Sequence, residues 1–381
     1  MKKISLANLP TKIVKLERLS AQLGKNIYVK HDDETGAELS GNKVRKLEYA
    51  LAEAKELGCD LVITTGGIQS NHCRATVTSA TRLGMKPVVL LRISPNGAIT
   101  MPYKPGHTAE TLPPKHPEDK SCTSQPAPEC PRKDLINPEV AGNYFMDRLL
   151  GADIHFCSPS EYSNSRDAIM AQLAEEYSKQ GYKPYIIPEG ASNAIGTLGY
   201  YGAMEEIVEQ EKELGVKFDA VAVATGSGGT CAGLNLANRV LGLGKKVLGV
   251  CVCDDNLYFQ ERIAPMAHDA VDYLDKFGKL PAGKTLQEWK DYCDFKIEDI
   301  EMVDQYVGVG YALSRPEELE FIKNVARLEG IIFDTCYTGK GLYGVVNEIK
   351  EGGKLADCEN ILFIHTGGLF GLFPNADLFT W

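Results

Sequence analysis

The sequence predicts an α/β protein built from open, twisted parallel sheets with helices on both faces. Two observations carry that prediction. Short apolar runs at 60–64, 87–91, 219–224, 246–253 and 360–364 alternate with helical patterns such as 166–180 and 316–329, the order that gives parallel strands joined by crossover helices. Two of the runs also end in glycine-rich turns that open directly into helices. A chain of 381 residues is long enough for two such domains and a large core.

The first informative segment is Ser40-Gly41-Asn42-Lys43-Val44-Arg45-Lys46-Leu47-Glu48-Tyr49. Leu47, Ala50, Leu51 and Ala54 repeat at helical spacing, so Lys43 stands at a helix start behind a small, flexible turn. A lysine so placed can be partly desolvated and nucleophilic, as a Schiff-base lysine must be. Lys46, one turn on, is the second candidate. Next, the apolar run from Leu61 breaks at Gly66-Gly67 and enters a helix whose start carries Ser70, Asn71 and His72. Ligands bind at this carboxyl end of strands in open α/β sheets, where helix-start amides attract anions. The run 220–224 leads likewise into Thr225, Gly226, Ser227, Gly228, Gly229 and Thr230. Its glycines let backbone N–H groups converge on a phosphate, with hydroxyls as added donors. No Gly-Lys-Ser/Thr follows, so this is not a nucleoside-triphosphate loop, and Cys231 stands where a dinucleotide fingerprint needs its last glycine.

Composition narrows the class. A net charge of −10 without a basic stripe argues against nucleic acid as partner. Pro10, Lys12, Lys15 and Glu17 interrupt any signal-peptide core, and no apolar stretch reaches the ~18 residues of a membrane span. Eleven scattered cysteines fit reduced thiols, hence a cytoplasmic protein.

Together the Gly-Asn-Lys-x-Arg-Lys-Leu-Glu segment, the Thr-Gly-Gly-Ile-Gln-Ser-Asn-His loop and the Thr-Gly-Ser-Gly-Gly-Thr loop resemble fold-type II pyridoxal-phosphate enzymes. The match is to the branch of D-cysteine desulfhydrase and 1-aminocyclopropane-1-carboxylate deaminase. Pro188-Glu189-Gly190-Ala191-Ser192-Asn193, Gly308-Val309-Gly310-Tyr311, Tyr337-Thr338-Gly339-Lys340 and His365-Thr366-Gly367-Gly368 follow in the family's order. The resemblance implies a fold like the tryptophan synthase β subunit, a homodimer, and pyridoxal 5′-phosphate in the cleft between two domains. A smaller domain would span about residues 50–160, and a larger one would combine 1–49 with 161–381. Lys43 would hold the cofactor as a Schiff base and act as base for the α-proton. The loop from Thr225 to Thr230 would cradle the phosphate, and Asn71 would bond the phenolic oxygen. Ser70 would receive the substrate carboxylate, while Tyr311 and Tyr337 would donate protons, or accept them if their pKa values fall.

The same resemblance bears on the reaction. The ring-opening deaminases have Glu immediately after the second tyrosine, and here that position is Thr338. A hydroxyl from Thr338 or Thr366 would leave the pyridine nitrogen neutral, which β-elimination tolerates because the leaving group drains the developing charge. His72 in place of the deaminases' Gln points the same way. The expected activity is conversion of D-cysteine to pyruvate, sulfide and ammonia. The alternatives are the cyclopropane deaminase, an L-cysteate sulfo-lyase that would want another cation near the leaving group, and a silent cofactor-binding regulator.

One stretch departs from the family. Residues 94 to about 135 hold nine of the nineteen prolines, with Cys122 and Cys130 near His107 and His116, and read as a loosely packed surface insertion without a standard metal spacing. Elsewhere Asp32-Asp33 read as solvated acids, Glu205-Glu206 as an exposed helix face, Cys251 and Cys253 as buried small hydrophobes, and His365 as a packed neighbour of its turn.

Overall fold

A computed structural model describes residues 1–93 and 138–381; the proline-rich stretch lies outside them. Ten strands form two sheets. In the larger, the order is β1 (Ile13–Lys15), β2 (Asn26–Lys30), β10 (Asn360–Ile364), β7 (Ala220–Thr225), β8 (Lys246–Cys251) and β9 (Glu301–Val303). Only β1 runs antiparallel to its neighbour. The smaller sheet is parallel throughout, in the order β5 (Asp153–Cys157), β4 (Lys86–Arg92), β3 (Leu61–Gly67) and β6 (Pro184–Ile186).

Continuous apolar runs become strands here because both sheet faces are covered. Along β4, Val88 and Leu90 pack with Ile169 and Leu173 of the helix Pro159–Lys179, while Val89 and Leu91 pack with Cys73 and Val77 of the helix Asn71–Arg82. Along β7, Val221 and Val223 face one core and Ala220 and Ala222 the other. The expected α/β class with helices on both faces is what the chain adopts.

The smaller sheet continues past the boundary expected at residue 160. The helix Pro159–Lys179 covers the smaller sheet, and β6 completes it. Because β6 pairs with β3 rather than with the larger sheet, we propose that the smaller domain extends through Ile186.

The helix that begins at Lys43 is held by a buried ion network. Arg45 donates from Nε and Nη2 to the two oxygens of Asp32 at 2.8 Å each, and from Nη1 to Glu206 at 3.0 Å. Tyr200 Oη donates to Asp32 at 2.5 Å and Lys30 Nζ to Glu206 at 2.6 Å. Burial alone would push the Asp32 carboxyl up, but the charge and hydrogen bonds of Arg45, with Lys30 and Tyr200, hold it at about 2. Asp32 is therefore a buried anchor rather than a solvated acid, and Glu206 is part of the same anchor rather than an exposed helix face. Cys251 is fully buried as expected, whereas Cys253 is partly exposed with Sγ 3.6 Å from Gly226 O. His365 stacks on Phe333 and bonds Ile332 O and Gly367 N, a packed neighbour of its turn.

Candidate active site

The carboxyl ends of β3 and β7 and the start of the helix Lys43–Glu56 converge on one cleft between the sheets. Lys43, Ser70, Asn71, Thr225, Gly226, Ser227, Gly228, Thr230, Tyr311, Tyr337 and Thr366 all line it. Lys43 is only partly accessible, and burial brings its amine down to about 8 against the opposing pull of Glu189. Near neutral pH a useful fraction of that amine is unprotonated, as a nucleophile and base requires.

The glycine-rich loop is shaped to receive a bulky anion. Gly228 has φ +88°, and the helix Gly229–Val240 starts immediately after it with its amides toward the cleft. A side chain on Gly226 would meet Tyr337 at 2.8 Å, and one on Gly229 would meet Lys46 Nζ at 2.9 Å, so the cradle is closed to anything but glycine. Asn42 Nδ2 donates to Thr230 Oγ1 at 3.0 Å. Ser192 Oγ accepts from Gly229 N at 3.2 Å and pairs with Ser227 Oγ at 2.8 Å. Beneath the loop Lys46 is fully buried and, among the described residues, bonds Gly190 O and Ser192 Oγ with no carboxylate in reach. Burial and then the charge of Lys43 push its pKa far down. A phosphate above the loop is the charge that would stabilise it, and the donor set fits pyridoxal phosphate.

The other side of the cleft carries hydroxyls. Ser70 caps the helix Asn71–Arg82 by accepting from Cys73 N at 3.2 Å, and its hydroxyl lines the cleft. Asn71 Oδ1 accepts from Asn143 Nδ2 at 3.0 Å, so its amide donors turn to the cleft. Tyr311 and Tyr337 share a hydrogen bond of 2.7 Å between their phenols. Burial pushes both far above the ordinary tyrosine value. That direction favours the protonated phenols over the basic form. Cys336 lies in hydrogen-bond reach of both phenols, and burial raises its thiol to about 12.

Thr366 and Thr338 part company. Thr366 lines the cleft, whereas the Thr338 hydroxyl is fully buried and donates to Asp334 Oδ1 at 2.5 Å, outside the lining. Residues that sequence reasoning did not single out complete the site. Glu189 lines the cleft and pairs with Arg166 at 3.1 Å. Asn143 is fully buried and ties Gln69, Asn71 and Arg74 together. The Pro-Glu-Gly-Ala-Ser-Asn motif was the signal for Glu189; Asn143, beyond the proline-rich stretch, had none.

Against this geometry the comparisons are decisive. A family model described as "Pyridoxal-phosphate dependent enzyme" matches residues 4–112 and 123–367. The chain belongs to that family. Its cofactor is pyridoxal phosphate. Among similar proteins, the bifunctional D-cysteine desulfhydrase/1-aminocyclopropane-1-carboxylate deaminase of Arabidopsis thaliana, a mitochondrial protein, is 40% identical over 98% of this chain and 80% of its own. The D-cysteine desulfhydrase of Yersinia pestis is 34% identical over 97% of this chain and 95% of its own. A crystal structure of a homologue of 1-aminocyclopropane-1-carboxylate deaminase superposes with a TM-score of 0.76 at 30% identity, covering 99% of this chain and 95% of that one. Among the described residues no helix is long and apolar enough to cross a membrane.

Proposed function

We propose that the protein is a lyase that eliminates the β-substituent of D-cysteine, giving pyruvate, hydrogen sulfide and ammonia. The observation that carries this reading is that Thr366 lies on the cleft wall while Thr338 is taken up by Asp334. A threonine hydroxyl bonds the pyridine nitrogen without holding a proton on it, so the cleft favours reactions in which a leaving group carries the charge away. Bound here, pyridoxal phosphate supplies the electron sink that makes the substrate's α-proton acidic.

The chain's own groups do the rest. Lys43 would hold the cofactor through its amine, and that amine is also placed to take the α-proton. The loop from Thr225 to Thr230, with Lys46 beneath it, would bind the phosphate, and the Asn71 amide would bond the phenolic oxygen. Ser70 Oγ donates to the substrate carboxylate. Of the hydrogen-bonded phenols of Tyr311 and Tyr337, one donates to the other and the second would donate toward the departing group, since burial favours their protonated forms. We place this enzyme in the cytoplasm, with the nine described cysteines all unpaired in support. We propose a homodimer, for which the exposed apolar side chains of Phe145, Leu149, Leu369 and Phe373 offer a surface.

The test is turnover. Holoenzyme should release sulfide and pyruvate from D-cysteine in equal amounts, and Lys43→Ala should abolish both. Release from 1-aminocyclopropane-1-carboxylate of 2-oxobutyrate, with no sulfide from D-cysteine, would overturn the reading.

A further inference from the structure

Arg92 ends β4 at the rim of the cleft. Its guanidinium lies between two rings, 5.0 Å from the Tyr162 centroid and 5.1 Å from that of Tyr311. Among the described residues its side chain has neither a carboxylate within ion-pair distance nor a hydrogen bond, although it is mostly buried. The neighbouring cation differs: Arg166 sits on the same Tyr162 ring at 5.2 Å and is neutralised by Glu189 at 3.1 Å. Among the described residues the Arg92 guanidinium therefore lacks the direct ion pair its neighbour has, and Glu189 acts on it only at longer range.

Gly67 shows where that charge points. A side chain built on Gly67 would lie 3.8 Å from Arg92 Nη2, 3.9 Å from Tyr311 Cε1 and 4.0 Å from Tyr311 Oη. The missing side chain leaves a small space on which a guanidinium and a phenol oxygen both converge. Gly67 and Tyr311 line the cleft together with Lys43, so this space opens on the reacting centre.

We propose that Arg92 and Tyr311 form an anion-accepting subsite beside Gly67 that holds the departing β-substituent, so that the substrate class is amino acids whose Cβ group leaves as an anion. The inference rests on the elimination reading above. In the step, the α-proton passes to Lys43 and the Cβ–S bond breaks with its electron pair on sulfur. Hydrosulfide leaves against Arg92, and the remaining enamine hydrolyses to pyruvate and ammonium. No oxidant or reductant enters. A guanidinium stabilises the negative charge that grows on the leaving group, and stacking on two rings fixes it there without consuming its hydrogen-bond donors.

Two measurements on the holoenzyme test this. First, D-aspartate and D-asparagine, which match in shape but differ in side-chain charge, are titrated against the bound cofactor's absorbance. Wild type should bind D-aspartate at least about tenfold more tightly, Arg92→Met should abolish that preference, and Arg92→Lys should restore most of it. If Arg92→Met weakens both ligands equally, Arg92 serves the shared α-carboxylate or the fold, and the proposal fails. Second, kcat is compared for D-cysteine and 3-chloro-D-alanine, whose chloride needs little help to leave. Arg92→Met should slow D-cysteine about tenfold or more and chloroalanine by a clearly smaller factor. Equal losses would overturn the subsite. Should wild type turn over neither substrate, the desulfhydrase reading falls, while the aspartate–asparagine comparison still decides the subsite.

Discussion

Lys43 and Lys46 stand one helical turn apart with opposite tasks. Both are depressed by burial, but Lys43 opens to the cleft and Lys46 is sealed under the phosphate loop. Cofactor attachment needs the neutral amine of Lys43. Its rate on apoprotein should therefore rise with pH and level off near 8, the value burial imposes. A stopped-flow absorbance series across pH reads this, and a rise that continues to the ordinary lysine value of 10.5 would refute it. The two threonines separate in the same manner. Thr366→Val should weaken cofactor binding about tenfold, the worth of one hydrogen bond. Thr338→Val should lower thermal stability through Asp334 and leave the cofactor spectrum nearly unchanged. Equilibrium binding and melting curves of both variants distinguish these outcomes; the reverse pattern would put Thr338 at the ring.

At the scale of elements, the helix Gly142–Leu149 does more than cover the smaller sheet. Gly142 has φ +56°, and a side chain there would strike Phe370 O and Gln69 Oε1. Behind it, Asn143 donates from Nδ2 to Gln69 O at 2.9 Å and Asn71 Oδ1 at 3.0 Å and accepts from Arg74 Nε at 2.7 Å. Asn143→Ala should free the Asn71 amide and weaken cofactor binding about tenfold, measured by equilibrium dialysis; unchanged affinity would make Asn143 a packing residue only. The same helix buries Asp147 with no hydrogen bond among the described residues, and burial raises its pKa far above 3.8. The folded chain thus holds a proton that the unfolded chain releases. Asp147 costs stability as pH rises above 3.8, and the penalty grows up to its folded pKa. Asp147→Asn should melt higher than wild type at pH 7, with the gap closing toward pH 4. Asp32 has the opposite sign: held at about 2, it stabilises the fold above 3.8 and loses that contribution as pH falls toward 2. Asp32→Asn, which strands Arg45 in the interior, should cost about 3–5 kcal/mol in denaturant titration.

Much of this was legible in local pattern and some was not. Val88 to Leu91 read as a strand because alternate side chains fill two cores, and Lys43, Ser70 and Thr225–Thr230 read as site residues because each follows a strand end or opens a helix. Asp32 and Glu206 read as solvated acids, since their shared partner Arg45 lies 161 residues from Glu206. Asn143 and Arg92 gave no signal, because what matters in each is a contact across elements. At the same scale the division into domains depends on a three-residue strand, β6, too short to pair visibly in sequence yet placing residues 184–186 on the smaller sheet.

For the molecule as a whole, two largely parallel sheets present their strand ends to one cleft, and Ser70, Asn71 and the loop from Thr225 to Thr230 come from those ends or the helices that follow, while Tyr311 and Tyr337 are brought in by connecting segments. The most direct measurement is the release of sulfide and pyruvate from D-cysteine by cofactor-loaded protein, beside Lys43→Ala treated identically. Equimolar sulfide and pyruvate from wild type and neither from the variant is the predicted result. A protein that binds pyridoxal phosphate through Lys43 and yet releases no sulfide from D-cysteine would contradict the account.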